Sequence, residues 1–134
     1  KLYYTVSYSN NIKPGYAEVK VKFKKLYKGI MNKKFIIKPA KVKLSKIVNQ
    51  KGRMIKITWE KSKGVGGYEI WYANDKKLKK GRKIMDVKAS SKAITIKKLS
   101  KNKTYYVKIR GYKKINKRKV YGAWSKRKSV KITK

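Results

Sequence analysis

Side chains able to carry a reaction are scarce in this chain. Histidine and cysteine are absent, which removes the usual general base, the thiolate nucleophile and most transition-metal sites. The carboxylates Glu18, Glu60, Glu69, Asp75 and Asp86 stand singly. No pair is therefore spaced for glycoside hydrolysis, and no cluster for calcium. Ser62-Lys63 and Ser91-Lys92 have the residue types of a serine–lysine dyad, but in a chain this rich in lysine such neighbours arise by chance. Gly64-Val65-Gly66-Gly67 lacks the strand-then-helix context of a phosphate loop and is expected to be a turn. The expectation is a protein that is not an enzyme and uses neither cofactor nor metal.

What remains is the chemistry of cations. Lysine and arginine number 42 against five acids, a net charge of +37. The densest runs are Lys76, Lys77, Lys79, Lys80, Arg82 and Lys83; then Lys113, Lys114, Lys117, Arg118 and Lys119; then Lys126, Arg127 and Lys128. The first two read as hairpin tips and the third as part of the last strand. Two unit charges about 10 Å apart repel by roughly 0.4 kcal/mol in water, and dozens of such terms work against a compact state. Salt screens them beyond about 8 Å; a polyanion does so more effectively. The partners implied are anionic polymers: acidic glycan, phospholipid headgroups or non-specifically bound DNA. Arginine is confined to Arg53, Arg82, Arg110, Arg118 and Arg127. Lysine suits diffuse attraction and arginine bidentate recognition, although an A/T-rich genome also enriches lysine. Base-specific DNA recognition is disfavoured, because no helix for a major groove is foreseen.

These charges need a scaffold, and their spacing names it. Ala17-Glu18-Val19-Lys20-Val21-Lys22-Phe23 puts lysine on one face and apolar side chains on the other, the period of a half-buried strand. Such alternation argues against disorder and for an all-β chain. Two units are expected, 1–39 and 40–134. The first has strand-like runs at Tyr3–Tyr8, Tyr16–Phe23 and Lys34–Lys38, separated by Asn10-Asn11 with Pro14-Gly15 and by Tyr27-Lys28-Gly29. Three strands with open edges make a poor independent domain. Pro39-Ala40-Lys41 forms a short, stiff elbow. Beyond it, strands are expected near 41–48, 53–59, 67–73, 82–87, 92–97, 104–112 and 119–132, the last broken at Gly122. No apolar stretch is long enough to span a bilayer as a helix. The start at Lys1 reads as a mature or trimmed product.

Aromatic residues divide by the same alternation. Trp59, Tyr68, Tyr105 and Phe35 fall on inward positions. Trp71 alternates with its inward neighbours and should point outward beside lysines. Trp124 is expected to stack on Arg110, in a cation–π ladder or an exposed ligand platform.

The second unit resembles a fibronectin type III domain of the kind common in bacterial envelope proteins. The carrying residues are Ile55-Lys56-Ile57-Thr58-Trp59, Gly67-Tyr68-Glu69-Ile70-Trp71-Tyr72, Leu99 six residues before Tyr105, Val107, Ile109, and Tyr121-Gly122-Ala123-Trp124-Ser125. The match covers 41–134. It implies that Trp59 packs between two sheets and that the Tyr105 hydroxyl bonds nearby backbone. Lys101 stands where the family usually has proline. The first unit resembles the C-terminal part of a bacterial immunoglobulin-like repeat. That match rests on Tyr4 to Asn11, Pro14 to Val21, Leu26-Tyr27-Lys28-Gly29 and Lys34-Phe35-Ile36-Ile37. Such repeats carry one or two earlier strands, so this unit is expected to be incomplete. The resemblances imply a bacterial cell-surface or secreted string of β modules with neighbouring domains.

Two functions follow as expectations. One is an extracellular adhesion module whose lysine-rich faces bind anionic polymers. The other is a subunit of a surface fibre or layer, a homo-oligomer or filament assembling by strand complementation of the incomplete first unit.

Overall fold

The computed structural model describes residues 4–24 and 29–134. The expected Tyr27-Lys28-Gly29 turn and the start of the first strand at Tyr3 lie wholly or partly outside the described residues. Every described element is a strand: β1 (Tyr4–Ser9), β2 (Gly15–Phe23), β3 (Ile30–Ile37), β4 (Leu44–Gln50), β5 (Met54–Trp59), β6 (Gly67–Ala73), β7 (Lys83–Lys88), β8 (Ala93–Ile96), β9 (Thr104–Ile115), β10 (Arg118–Tyr121) and β11 (Lys128–Lys131).

From β4 onward the chain forms a two-sheet sandwich. One sheet has the order β4-β5-β8. The other runs β10-β9-β6-β7, with β11 also on β9, and every pairing is antiparallel. Alternation builds the core: Ile55, Ile57 and Trp59 from β5 face Tyr68, Ile70 and Tyr72 from β6 and Val107 and Ile109 from β9. Trp59 meets Tyr68 edge-on at 5.4 Å. The Tyr105 hydroxyl accepts the Ser100 N–H at 3.1 Å, the corner foreseen from the leucine–tyrosine spacing.

The break at Gly122 is present, and its cause is contact. A Cβ there would collide with the Pro39 carbonyl. The segment still follows β9, because Gly122 N–H donates to Gly111 C=O at 2.9 Å and Ser125 N–H to Ile109 C=O at 2.8 Å. Strand β9 runs to Ile115, beyond the expected 112. It turns back through Asn116 and Lys117, both at positive φ (50° and 65°), the geometry of a tight hairpin turn.

The first unit is a three-stranded antiparallel sheet, β1-β2-β3. Strand β3 begins at Ile30, four residues before the expected start, because its first half pairs with Lys22 to Val19 of β2. The register puts Tyr4, Val6, Tyr8, Val19, Val21, Phe23, Met31 and Phe35 on one face. Phe35 is not core: it is 40% exposed, because no second sheet covers this face among the described residues. Pro14 packs on Gly64, the Asn116 amide donates to the Tyr16 hydroxyl at 2.9 Å, and Pro39 lies on Gly111 and Gly122.

Candidate polyanion interface

Four of the five acids are engaged within the fold. Glu60 pairs with exposed Lys43 at 2.9 Å, Asp86 with Lys119 at 2.8 Å, and Glu69 with Arg110 at 2.7 Å. Asp75 accepts the N–H groups of Lys79 and Lys80 at 2.8 and 3.0 Å. Those backbone bonds hold its carboxyl below the ordinary aspartate value. Glu18 faces Lys34 across β2 and β3. Among the described residues no group of acids could hold a metal ion.

The three basic runs separate in space. The loop carrying Lys76, Lys77, Lys79, Lys80 and Arg82 joins β6 to β7, with Lys83 opening β7. Buried Leu78 anchors it, and its residues turn about Asp75. Arg127 joins this loop by donating to the Lys76 carbonyl at 2.6 Å. Lys126 and Arg127 precede β11 rather than lying on it, and only Lys128 belongs to the strand. The β9–β10 hairpin with Lys113, Lys114, Lys117 and Arg118 lies at the other end of the sheet, because β9 runs antiparallel to β6. Lys119, in the same hairpin and expected at the polyanion interface, is ion-paired with Asp86. Its bond with Asp86 raises its pKa above the ordinary lysine value, against a smaller effect of burial.

The outer face of the larger sheet carries a stack that joins four segments. Arg82 lies 3.7 Å from the Trp71 ring centroid. The Lys108 ammonium sits between two indoles, 4.6 Å from Trp71 and 4.4 Å from Trp124. The Arg110 guanidinium follows, 4.3 Å from Trp124 and 3.6 Å from Tyr121. Register creates these contacts: Trp71 stands opposite Lys108, and Glu69 opposite Arg110. Trp71 and Trp124 point outward as expected, yet both are half-buried, because the cations cover them.

Electrostatics distinguishes the two cations on β9. Buried Glu69 accepts both Nε and Nη2 of Arg110 on one oxygen, at 3.1 and 2.7 Å. The Tyr121 hydroxyl is held above its ordinary pKa by burial, then by the Glu69 charge and a hydrogen bond to it. Among the described residues no carboxylate pairs with Lys108. Burial, and then the guanidiniums of Arg110, Arg82 and Arg127, push its ammonium below the ordinary lysine value. Sequence does not single out Lys108 or Glu69 as interface residues, and only cross-strand register brings them beside Trp71 and Arg110.

No protein-family model matches the chain, and no curated protein sequence matches it. Solved structures do. A two-domain fibronectin type III segment of chicken tenascin superposes with a TM-score of 0.70 at 14% identity, covering 87% of this chain and 64% of that one. The FN1–FN3 domains of chicken CNTN1 give 0.57 at 18% identity, covering 94% of this chain and 44% of that one. The chain thus spans less than two thirds of either. At such identities the likeness speaks for the fold, a fibronectin type III-like β-sandwich.

Proposed function

We propose that this chain is a non-enzymatic module of a bacterial extracellular or cell-surface protein, binding anionic polymers through its basic faces. One observation carries this: 42 cations meet five acids, and most of those acids are already engaged within the fold. The surplus can be neutralised only from outside. Envelope teichoic acid, acidic glycan and phospholipid headgroups are the ligands that this charge and the sequence resemblances favour. DNA would bind through its phosphates alone. On a sulfated-polysaccharide column the protein is expected to elute well above physiological salt, about 0.15 M. Elution below that would end the proposal.

A second function draws on the three-stranded sheet. Among the described residues its β1 and β3 edges are unpaired, and its apolar face leaves Tyr8 and Met31 61% and 57% exposed. A strand from a neighbouring molecule would satisfy an open edge, making the chain a subunit of a fibre or layer. Lys33, opposite Val19 on that face, would then need a carboxylate from the incoming strand. Light scattering in high salt, where repulsion is screened, should show association that grows with concentration. A monomer at every concentration would exclude assembly of this chain with itself.

A further inference from the structure

The stacked face does more than brace the sheet: we infer that Arg82, Lys108 and Arg127, set against Trp71, Trp124 and Tyr106, form a focused site for the phosphate or sulfate ester groups of a polymer. The inference rests on the polyanion function above and locates its centre on the outer face beside the β6–β7 loop, away from the lysine-rich β9–β10 hairpin.

Four observations converge. The chain has only five arginines, and Arg82, Arg110 and Arg127 gather at this face although they are far apart in sequence. Arginine's planar fork matches tetrahedral oxyanions, whereas lysine offers a point charge. Of the four cations here, Arg110 is neutralised by Glu69; no carboxylate lies within ion-pair distance of Arg82, Lys108 or Arg127 among the described residues. The rings hold these side chains in place, with Arg82 3.7 Å from Trp71, Lys108 between two indoles and Arg127 5.6 Å from Tyr106.

Preorganisation decides the contest with the loops. A loop lysine must surrender its rotamer freedom on binding, a cost that a stacked side chain has already met in folding. Burial and like charge disfavour the Lys108 ammonium in the free protein. An oxyanion would relieve that repulsion. A carboxylate offers two oxygens where a sulfate or phosphate monoester offers three, so a carboxylate polymer would meet the same positive field with fewer acceptors for these three cations.

The test compares charge-matched variants of the full chain. Arg82→Gln/Lys108→Met removes two cations from the stack and keeps an aliphatic stem at 108. Lys56→Gln/Lys97→Gln removes two exposed lysines near the smaller sheet. Dextran sulfate and dextran phosphate are the probes, with polyglutamate as the carboxylate comparison. The stack variant should bind both ester polymers at least about tenfold more weakly than the control, the low end for even one lost charge-assisted bond. It should also lose the tryptophan fluorescence change that the esters cause in the native protein. Arg82→Lys/Arg127→Lys keeps every charge and should still weaken binding to the esters, because the forked guanidinium donors are gone. A response to only one ester polymer would overturn the shared-ester assignment. Equal weakening of the two double variants would overturn the site and leave polyanion binding standing. Native protein that binds none of the three polymers would overturn both. Circular dichroism confirms that each variant is folded, and the charge-preserving pair still tests the site should Lys108→Met unfold the sheet.

Discussion

Trp59→Ala is expected to lower the unfolding free energy by about 3–5 kcal/mol, the range for removing a large aromatic from a close-packed core. Trp59 is 2% exposed, lies at the end of β5, and meets Tyr68 edge-on. Truncation would leave a cavity bounded by both sheets and would also lose the ring–ring contact, worth about 0.5–1.5 kcal/mol beyond burial. Domains commonly hold only about 5–15 kcal/mol in reserve, so the variant should unfold at much lower denaturant. Trp59→Phe should recover a good part of the loss. Urea titration followed by circular dichroism measures both. A loss below about 1 kcal/mol for alanine would mean that Trp59 does not join the two sheets.

Glu69→Ala is expected to cost about 3 kcal/mol, although the residue lies on the outer face. Its side chain is 8% exposed and that of Arg110 20%. Removing the carboxylate would strand a half-buried guanidinium and take a partner from the Tyr121 hydroxyl. Breaking one side of a buried pair typically costs about 3–5 kcal/mol, whereas replacing the whole pair with apolar groups is often near neutral. The double variant Glu69→Ala/Arg110→Met should therefore be more stable than Glu69→Ala alone. If the double variant instead lost the sum of both single losses, the pair would not be coupled and the stack would owe its order to the rings alone. Thermal melts of the four proteins close the cycle.

Much of the sandwich is legible in the sequence because each strand alternates for itself. Ile55-Lys56-Ile57-Thr58-Trp59 states its inner face without reference to any other strand, and Trp59, Tyr68 and Tyr105 accordingly pack as expected. The three-stranded sheet is less legible. Phe35 sits on an apolar face, but apolarity along one strand does not say whether a second layer exists to bury it. Ile30-Met31-Asn32-Lys33 lacks a clean period of two, so only the second half of β3 can be foreseen. The interface needs pairing information. Nothing in the order of residues places Glu69 against Arg110 or Lys108 between two tryptophans; cross-strand register does. Lys119 likewise reads as one more surface cation until Asp86 arrives from β7. The runs of lysine are obvious, but their density does not disclose which cations are stacked, which are neutralised and which stand open.

Pro39, seated on Gly111 and Gly122, has a last consequence. With Pro14 against Gly64 and Tyr16 tethered to Asn116, the uncovered sheet and the tryptophan-bearing sheet keep one bearing toward each other. A supple polymer could wrap from one to the other. Under the function proposed above, a rod-like one would lie against only one of these surfaces at a time.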